Sequence, residues 1–131
     1  MIEDKEYVSR CRFVDATETV NKELSGGHWI TIKKRLAVGE QKKVDAGGMR
    51  RVSVPGEKPV MELDYGEYSF VRAETYLVDW SFKNKESKDV ALTPSAIRAL
   101  DEETFDEIEN ALTTHIEEMT EAKKIRAGSK Q

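Results

Sequence analysis

The chain has few of the residues from which catalytic and metal-binding sites are built. Cys11 is the only cysteine in 131 residues, so the sequence excludes an intrachain disulfide and a metal site made of several cysteines. His28 and His115 are the only histidines, and neither belongs to an HExxH arrangement. We interpret His115 as a structural residue beside the apolar stripe of a helix, and His28 as a surface residue. The sequence therefore predicts no catalytic residue, no metal site, no cofactor and no enzymatic activity.

Phosphate-binding glycine loops and long apolar runs are also missing. Gly26-Gly27 and Gly47-Gly48 do not continue into a GxGxxG or GK[ST] pattern, so we interpret both pairs as turns. No run approaches the roughly 20 apolar residues that a membrane-spanning helix needs, and residues 1–10 lack the apolar segment of a secretion signal. We expect a soluble, intracellular protein.

Charge is abundant and unevenly distributed. Charged residues make up 35% of the chain and the formal net charge is −4, which argues against a general nucleic-acid-binding protein. Residues 28–58 contain eight basic and three acidic side chains, whereas residues 101–121 contain nine acidic ones and no lysine or arginine. The two segments could join copies head to tail, meet within one fold, or form solvated faces. A regulator that binds nucleic acid through Lys33–Arg35 and Lys42–Lys43 is a less favoured alternative.

The N-terminal half has the patterns of strands and turns. Apolar and polar residues alternate in 6–14 and again in 28–35, so we predict two strands that form a hairpin across a turn-rich connector at 16–27. A short helix is predicted at 39–46, where a pair of glycines would stop it. We predict a surface loop at 52–60, because its glycine and prolines are typical of turns.

Helical spacing dominates the C-terminal half. Apolar residues recur at three- and four-residue intervals from Asp64 to Trp80, which predicts a helix, although the β-branched and aromatic content of the segment also suits a strand. Thr93 followed by Pro94 predicts the start of a short helix, and Asp101 the start of a long one. The apolar stripe of the long helix consists of Phe105, Ile108, Leu112, Ile116 and Met119.

These patterns predict an α+β fold, in which an N-terminal β-hairpin or small antiparallel sheet precedes a mainly helical C-terminal half. Residues 1–125 would form a single domain and residues 126–131 a flexible C-terminal tail.

The order of these landmarks resembles that of a known family. The chain has a strand containing Trp29, then a Gly39-Glu40 pair at a helix start and a helix closing on Trp80, and the segment LTPSAIRAL precedes an amphipathic helix. In this order the landmarks resemble those of the small tail assembly chaperones of long-tailed, siphovirus-like bacteriophages. The matching positions are Trp29, Gly39, Glu40, Trp80, Thr93, Ile97, Leu100, Phe105 and Ile108. The resemblance covers roughly residues 28–120 and consists of apolar landmarks rather than a catalytic signature.

The resemblance implies a chaperone that binds the phage tape-measure protein in the host bacterial cytoplasm. It would keep this partner soluble until the tail-tube protein polymerises around it, and many copies would coat one tape measure. Amphipathic helices of the tape measure would dock on apolar faces of the chaperone. The candidate partner-binding residues are Trp29, Phe70, Leu77, Trp80, Phe105, Ile108, Leu112 and Ile116.

Two alternatives to this interpretation remain open. The two apolar helix stripes could pack against each other as the core of the domain rather than bind a partner. The protein could also be a structural virion component that joins head and tail or completes the tail.

Overall fold

The computed structural model describes residues 12–128 and confirms the α+β class. The elements in chain order are β1 (Thr19–Glu23), β2 (Trp29–Lys33), α1 (Val38–Ala46), β3 (Met49–Val52), β4 (Val60–Leu63), α2 (Tyr65–Tyr76), β5 (Leu77–Trp80), α3 (Pro94–Arg98) and α4 (Glu102–Gly128). Strands β1, β2 and β5 form a three-stranded antiparallel sheet with β2 in its centre, and β3 and β4 form a separate two-stranded sheet.

The hairpin that leads into the sheet has a different first strand from the one predicted. β2 pairs with β1, which lies inside the predicted connector, and the single 3₁₀ turn Ser25–Gly27 joins them. Of the strand predicted at 6–14, residues 12–14 are not in a strand and the others lie outside the described residues. β1 escaped prediction because its sequence, TVNKE, is mostly polar: one face is exposed, and the other contributes only Val20 to the edge of the core.

β5 corrects the prediction of one helix from Asp64 to Trp80. The helix α2 ends at Tyr76, and the chain enters β5 at the next residue. The register of β5 against β2 shifts by one residue, which leaves Val78 as the extra residue of a β-bulge. Because the bulge reverses the alternation of the strand, Leu77 and Trp80 both face the core although they lie three residues apart. That spacing is what resembled a helix in the sequence.

Side-chain caps begin three of the helices, and those predicted are confirmed. The side chain of Thr93 accepts a hydrogen bond from the Ala96 N–H at 3.1 Å, and Pro94 occupies the first turn of α3. Asp101 accepts from the Thr104 N–H at 2.7 Å at the start of α4, and Asp64 caps α2 in the same way. The helix α1 matches the predicted 39–46, whereas α4 continues to Gly128, beyond the predicted domain end at residue 125.

One hydrophobic core joins the three-stranded sheet to the helices. One face of the sheet, which carries Ile30 and Ile32, packs with residues of α2, α3 and α4. The buried apolar residues of this core are Ile30, Ile32, Ala73, Tyr76, Leu77, Trp80, Ile97, Ile108 and Leu112. The opposite face of the sheet faces solvent and includes Trp29.

The predicted surface loop at 52–60 is the end of a β-hairpin. Val52 and Val60 pair across β3 and β4, so only residues 53–59 are outside strands. Within this connection Pro55 and Gly56 are the central residues of a turn closed by a 3.0 Å hydrogen bond from the Glu57 N–H to the Val54 carbonyl. Gly56 has a φ of 85°, which glycine adopts without strain and which a type II turn requires at this place.

Candidate protein-binding surfaces

The described residues contain no group suited to binding a metal ion. Within residues 12–128, no three His, Cys, Asp or Glu side chains lie together in a way that could hold one. His115 is buried in the core, where its Nε2 lies 2.8 Å from the Lys34 carbonyl oxygen. A carbonyl oxygen only accepts hydrogen bonds, so Nε2 carries the proton and donates it. His115 thus links α4 to the end of β2, and it lies on the buried face of the helix rather than beside it.

Seven of the eight predicted partner-binding residues belong to the core. Four are buried, with at most 6% of their surface exposed: Leu77, Trp80, Ile108 and Leu112. Three are partly buried and pack against them: Phe70, Phe105 and Ile116. Only Trp29 is largely exposed, with 38% of its surface accessible. A partner could reach the four buried residues only by opening the fold, and the three partly buried ones also pack on the core, so the two apolar stripes hold the domain together.

Trp80 is held in the core by a hydrogen bond as well as by packing. Its Nε1–H donates to the Val90 carbonyl at 2.7 Å, and its ring centroid lies 5.2 Å from that of Phe82. Phe105 packs against Phe70, with 5.0 Å between the ring centroids. Trp80 therefore fastens the segment after β5 to the sheet and leaves only 6% of its surface exposed.

Among residues 12–128, the most apolar exposed surface lies on β3, β4 and their turn, residues 49–63, which we call the arm. Paired residues of antiparallel strands share a face, so Met49, Leu63, Arg51 and Met61 lie on one side of the arm. Met49, Met61 and Leu63 are 43%, 58% and 39% exposed. We call these three residues the apolar face of the arm. The sequence signal for it is weak: Met61 and Leu63 alternate with Glu62, but Arg50 and Arg51 interrupt the alternation in the other strand.

The root of the arm is packed tightly against α2. A Cβ placed on Gly48 would lie 2.3 Å from the Asp64 carbonyl oxygen and 2.9 Å from the Tyr68 Cβ. The Asp64 N–H donates to the Gly48 carbonyl at 2.7 Å, which closes the base of the hairpin. A Cβ placed on Gly47 would likewise lie 2.7 Å from the Val71 Cβ. The two glycines predicted as a turn are therefore required for close contact between arm and helix.

A second exposed surface surrounds Trp29 on the solvent face of the three-stranded sheet. Trp29 lines two clefts, one of about 550 Å³ that also includes Glu23 and one of about 650 Å³ that also includes Asp79. Ser81 fixes the backbone here, because its hydroxyl accepts a hydrogen bond from the Trp29 N–H at 2.9 Å. The exposed His28 lies beside it, with Nδ1 3.2 Å from the Ser81 hydroxyl. We call Trp29, Glu23, Asp79 and the two clefts the Trp29 site.

The basic stretch 31–43 is partly neutralised within the fold. Lys33 forms an ion pair with Glu40, and the hydrogen bond from Lys33 lowers the pKa of that carboxyl. Lys34 and Arg35 both approach Glu18, at 3.6 and 4.0 Å. Lys42 and Lys43 are exposed on α1. The cations considered for nucleic-acid binding are thus divided between internal ion pairs and a short helix face.

The opposite charges of the segments 28–58 and 101–121 do not neutralise each other inside the molecule. None of the ion pairs found among residues 12–128 joins the two segments. The acidic helix is instead tied to α2 by the half-buried pair Arg72–Glu109, 2.6 Å apart. Burial raises the pKa of Glu109, and the nearby guanidinium of Arg72 partly opposes this effect.

None of the helices in residues 12–128 has both the length and the apolar character that crossing a bilayer requires. No family model, curated protein or solved structure matches the chain.

Proposed function

We propose that this protein is a non-enzymatic assembly chaperone and that its client docks on the apolar face of the arm. The observation that carries the proposal is that Met49, Met61 and Leu63 are exposed together on a sheet of only two strands. An isolated two-stranded sheet is marginally stable in water unless another element covers its apolar face. Within residues 12–128 the fold packs only the root of the arm, so the rest of the apolar face suits a partner.

The side chains of this face suit a client that presents many similar but non-identical sites. Methionine is unbranched and polarisable, and it adapts to apolar partners of different shape. Arg51 lies on the same face as Met61 and Leu63, where it can meet an acidic residue at the edge of an apolar stripe. The expected client element is therefore an amphipathic helix with acidic residues beside its apolar stripe.

The size of the face supports weak, reversible binding. Burying the exposed part of each side chain contributes on the order of 1 kcal/mol, whereas association itself costs about 4 kcal/mol or more. One copy would thus hold its client weakly, and many copies along a long client would mask it together. Such a coat can be displaced by a protein that binds the same client more tightly.

The client that fits this chemistry is the tape-measure protein of a long-tailed bacteriophage, in line with the resemblance of landmarks such as Trp29, Trp80 and Thr93-Pro94 to tail assembly chaperones. Its long amphipathic helices need protection from aggregation in the host bacterial cytoplasm until the tail-tube protein assembles around them.

Co-expression with the tape-measure protein tests the proposal. The wild-type chain should increase the soluble fraction of the tape measure, and Met49→Ser, Met61→Ser and Leu63→Ser combined should abolish the increase. Val78→Ser with Ile125→Ser is the matched control, because these residues are also exposed, at 46% and 65%, but lie outside the arm. Rescue that is equal in the arm variant and in the control would refute the arm as the client surface.

The alternative of a structural virion component is favoured by the same arm, since a protruding apolar hairpin can also fasten neighbouring subunits permanently. Quantitative mass spectrometry of purified virions separates the two functions. A chaperone should be absent from the finished particle, whereas a head–tail joining or tail completion protein should be present at a fixed copy number.

A further inference from the structure

The Trp29 site combines an accessible indole with carboxylates that have no ion-pair partner among the described residues. Trp29 is 38% exposed, although its neighbour Ile30 is fully buried. Glu23 is the direct cross-strand partner of Trp29, and Asp79 lies on the other neighbouring strand, paired with Thr31. Each carboxylate shares a cleft wall with the indole. The site therefore places negative charge on both sides of an electron-rich aromatic ring.

Nearby cations do not cancel this charge. Lys83 lies in the wall of the larger cleft, but its ammonium group is held 2.7 Å from Asp89. Asp79 accepts a hydrogen bond from the Trp80 N–H at 2.9 Å, which orients the carboxylate without neutralising it. A carboxylate that is oriented but unpaired is suited to receive a cation from outside.

We propose that the Trp29 site binds a lysine or arginine side chain from an extended basic segment of a partner protein. The cation would lie over the indole, where the ring quadrupole attracts it, and Glu23 and Asp79 would pair with it from the two clefts. The backbone on either side of the bound side chain would occupy the two clefts, which flank Trp29. This inference stands on the sheet face alone and is independent of the client proposed for the arm.

A separate protein is a better source of the cation than a second copy of this chain. Most arginines of the described residues are already in ion pairs: Arg35, Arg50, Arg72 and Arg98. At the turn of the arm, Lys58 is preceded by Glu57, so the exposed end of the arm carries no net charge. Among the described residues, the exposed neighbours Lys42 and Lys43 lie on the short helix α1, which is not the extended segment that the two clefts would hold.

Nuclear magnetic resonance can test the site with two internal reporters. The indole N–H signal of Trp29 should shift when the capped peptide GRGRGRG is added, and GKGKGKG should give a smaller shift. The Nε2–H of the buried His115 donates to the Lys34 carbonyl, and neither residue lines the two clefts, so its signal should stay unchanged and shows that the fold is intact. The acidic peptide GEGEGEG should shift neither signal.

Variants separate the aromatic contribution from the charge contribution. Trp29→Leu should weaken binding of GRGRGRG by about two- to fivefold, measured by calorimetry, and Trp29→Phe should restore part of it. Glu23→Gln with Asp79→Asn should weaken binding by about fivefold. Glu117→Gln with Glu121→Gln is the matched control, because it removes the same charge from exposed positions on α4.

Four results would overturn the inference. The first is a Trp29 signal that neither basic peptide shifts, and the second is an equal shift with the acidic peptide. The third is an equal loss of affinity in the α4 control, because this would show only general charge attraction. The fourth is sedimentation that shows self-association abolished by Glu23→Gln with Asp79→Asn, which would assign the site to a second copy instead.

Discussion

The two tryptophans have different roles because they lie on opposite faces of the same sheet. Trp80 and Trp29 lie on neighbouring strands of the same sheet, yet they are 6% and 38% exposed. Trp80 pairs with Ile30 and shares its buried face, whereas Trp29 is one residue earlier on β2 and faces solvent. Nothing in the sequence distinguished Trp29 from Trp80, and both were predicted as partner-binding residues. Only the register of the sheet separates the structural residue from the accessible one.

The half-buried ion pair between Arg72 and Glu109 gives a prediction for single residues. Arg72→Met should lower the free energy of unfolding by about 2 kcal/mol at pH 7, because it leaves the Glu109 carboxylate without its cation. The cost is below that of fully buried pairs, since the two side chains are 14% and 17% exposed. Urea denaturation of wild type and variant measures the difference. The double variant Arg72→Met with Glu109→Met should recover most of the loss, and equal losses in single and double variants would contradict the pairing.

The pH dependence of this loss follows from the direction of the pKa shift. Burial raises the pKa of Glu109 above its ordinary value of 4.5, so between that value and the native pKa the folded protein binds more protons than the unfolded chain. Stability contributed by this group therefore falls as pH rises through that window. Without Arg72 the native pKa rises further, so the difference between Arg72→Met and wild type should be small at pH 4 and full at pH 7. A difference that is constant with pH would exclude this origin.

At the scale of elements, the helix starts of the C-terminal half and the central strand β2 were predictable from the sequence, whereas the edge strands β1 and β5 were not. Thr93 and Asp101 cap helices through local hydrogen bonds, which depend only on residues three positions away. β5 depends on pairing with β2, more than forty residues earlier, and its bulge at Val78 produces a helix-like spacing. β1 is mostly polar, so its pairing with β2 left little periodic signal.

The candidate binding surfaces were also predictable only in part, because burial depends on contacts between distant segments. An apolar stripe in a sequence shows which side chains share a face, but not whether another element covers that face. For this reason Ile108 and Leu112 were predicted as partner-binding residues and lie in the core. The apolar face of the arm was missed because Pro55 and Gly56 indicated a loop and concealed the strands on either side.

The junction of the arm with α2 gives a prediction for an element. Gly48→Ala should destabilise the protein by about 1–3 kcal/mol, because the new Cβ meets the Asp64 backbone oxygen and the packed Tyr68 side chain. Gly39→Ala is the control: it lies in α1 with open space around it, and alanine should stabilise that helix by about 0.5–1 kcal/mol. Thermal denaturation should show a lower melting temperature for Gly48→Ala and a higher one for Gly39→Ala than for the wild type. A neutral Gly48→Ala would show that the arm is not packed on α2 in solution.

At the scale of the whole molecule, α2 holds the two exposed surfaces apart. The arm ends at Leu63, just before α2, and β5 begins directly after it. A helix of 12 residues is about 18 Å long, so the arm and the sheet lie at opposite ends of this spacer. A client on the arm and a basic segment at the Trp29 site could therefore be bound at the same time without contact.

The molecule should divide into two parts of different stability. Backbone amides of β2, the central strand of a sheet with one face in the core, should exchange with deuterium only through global unfolding. Amides of β3 and β4 beyond the root should exchange through local opening. Hydrogen exchange followed by mass spectrometry measures this difference in the free protein. Addition of the proposed client, a tape-measure protein, should slow exchange in the arm and leave β2 unchanged. Equal protection of arm and sheet in the free protein would contradict a partner-dependent arm.

The central place of β2 in the sheet has a consequence for synthesis on the ribosome. Ile30 pairs with Trp80, so fifty residues must emerge before the second edge of β2 finds its partner, and Leu112 must follow before the core is covered. Until then the β1–β2 hairpin keeps part of its apolar side open to water, which is the kind of intermediate that aggregates. A protein that we propose protects a client from aggregation would thus itself depend on rapid completion of its own chain.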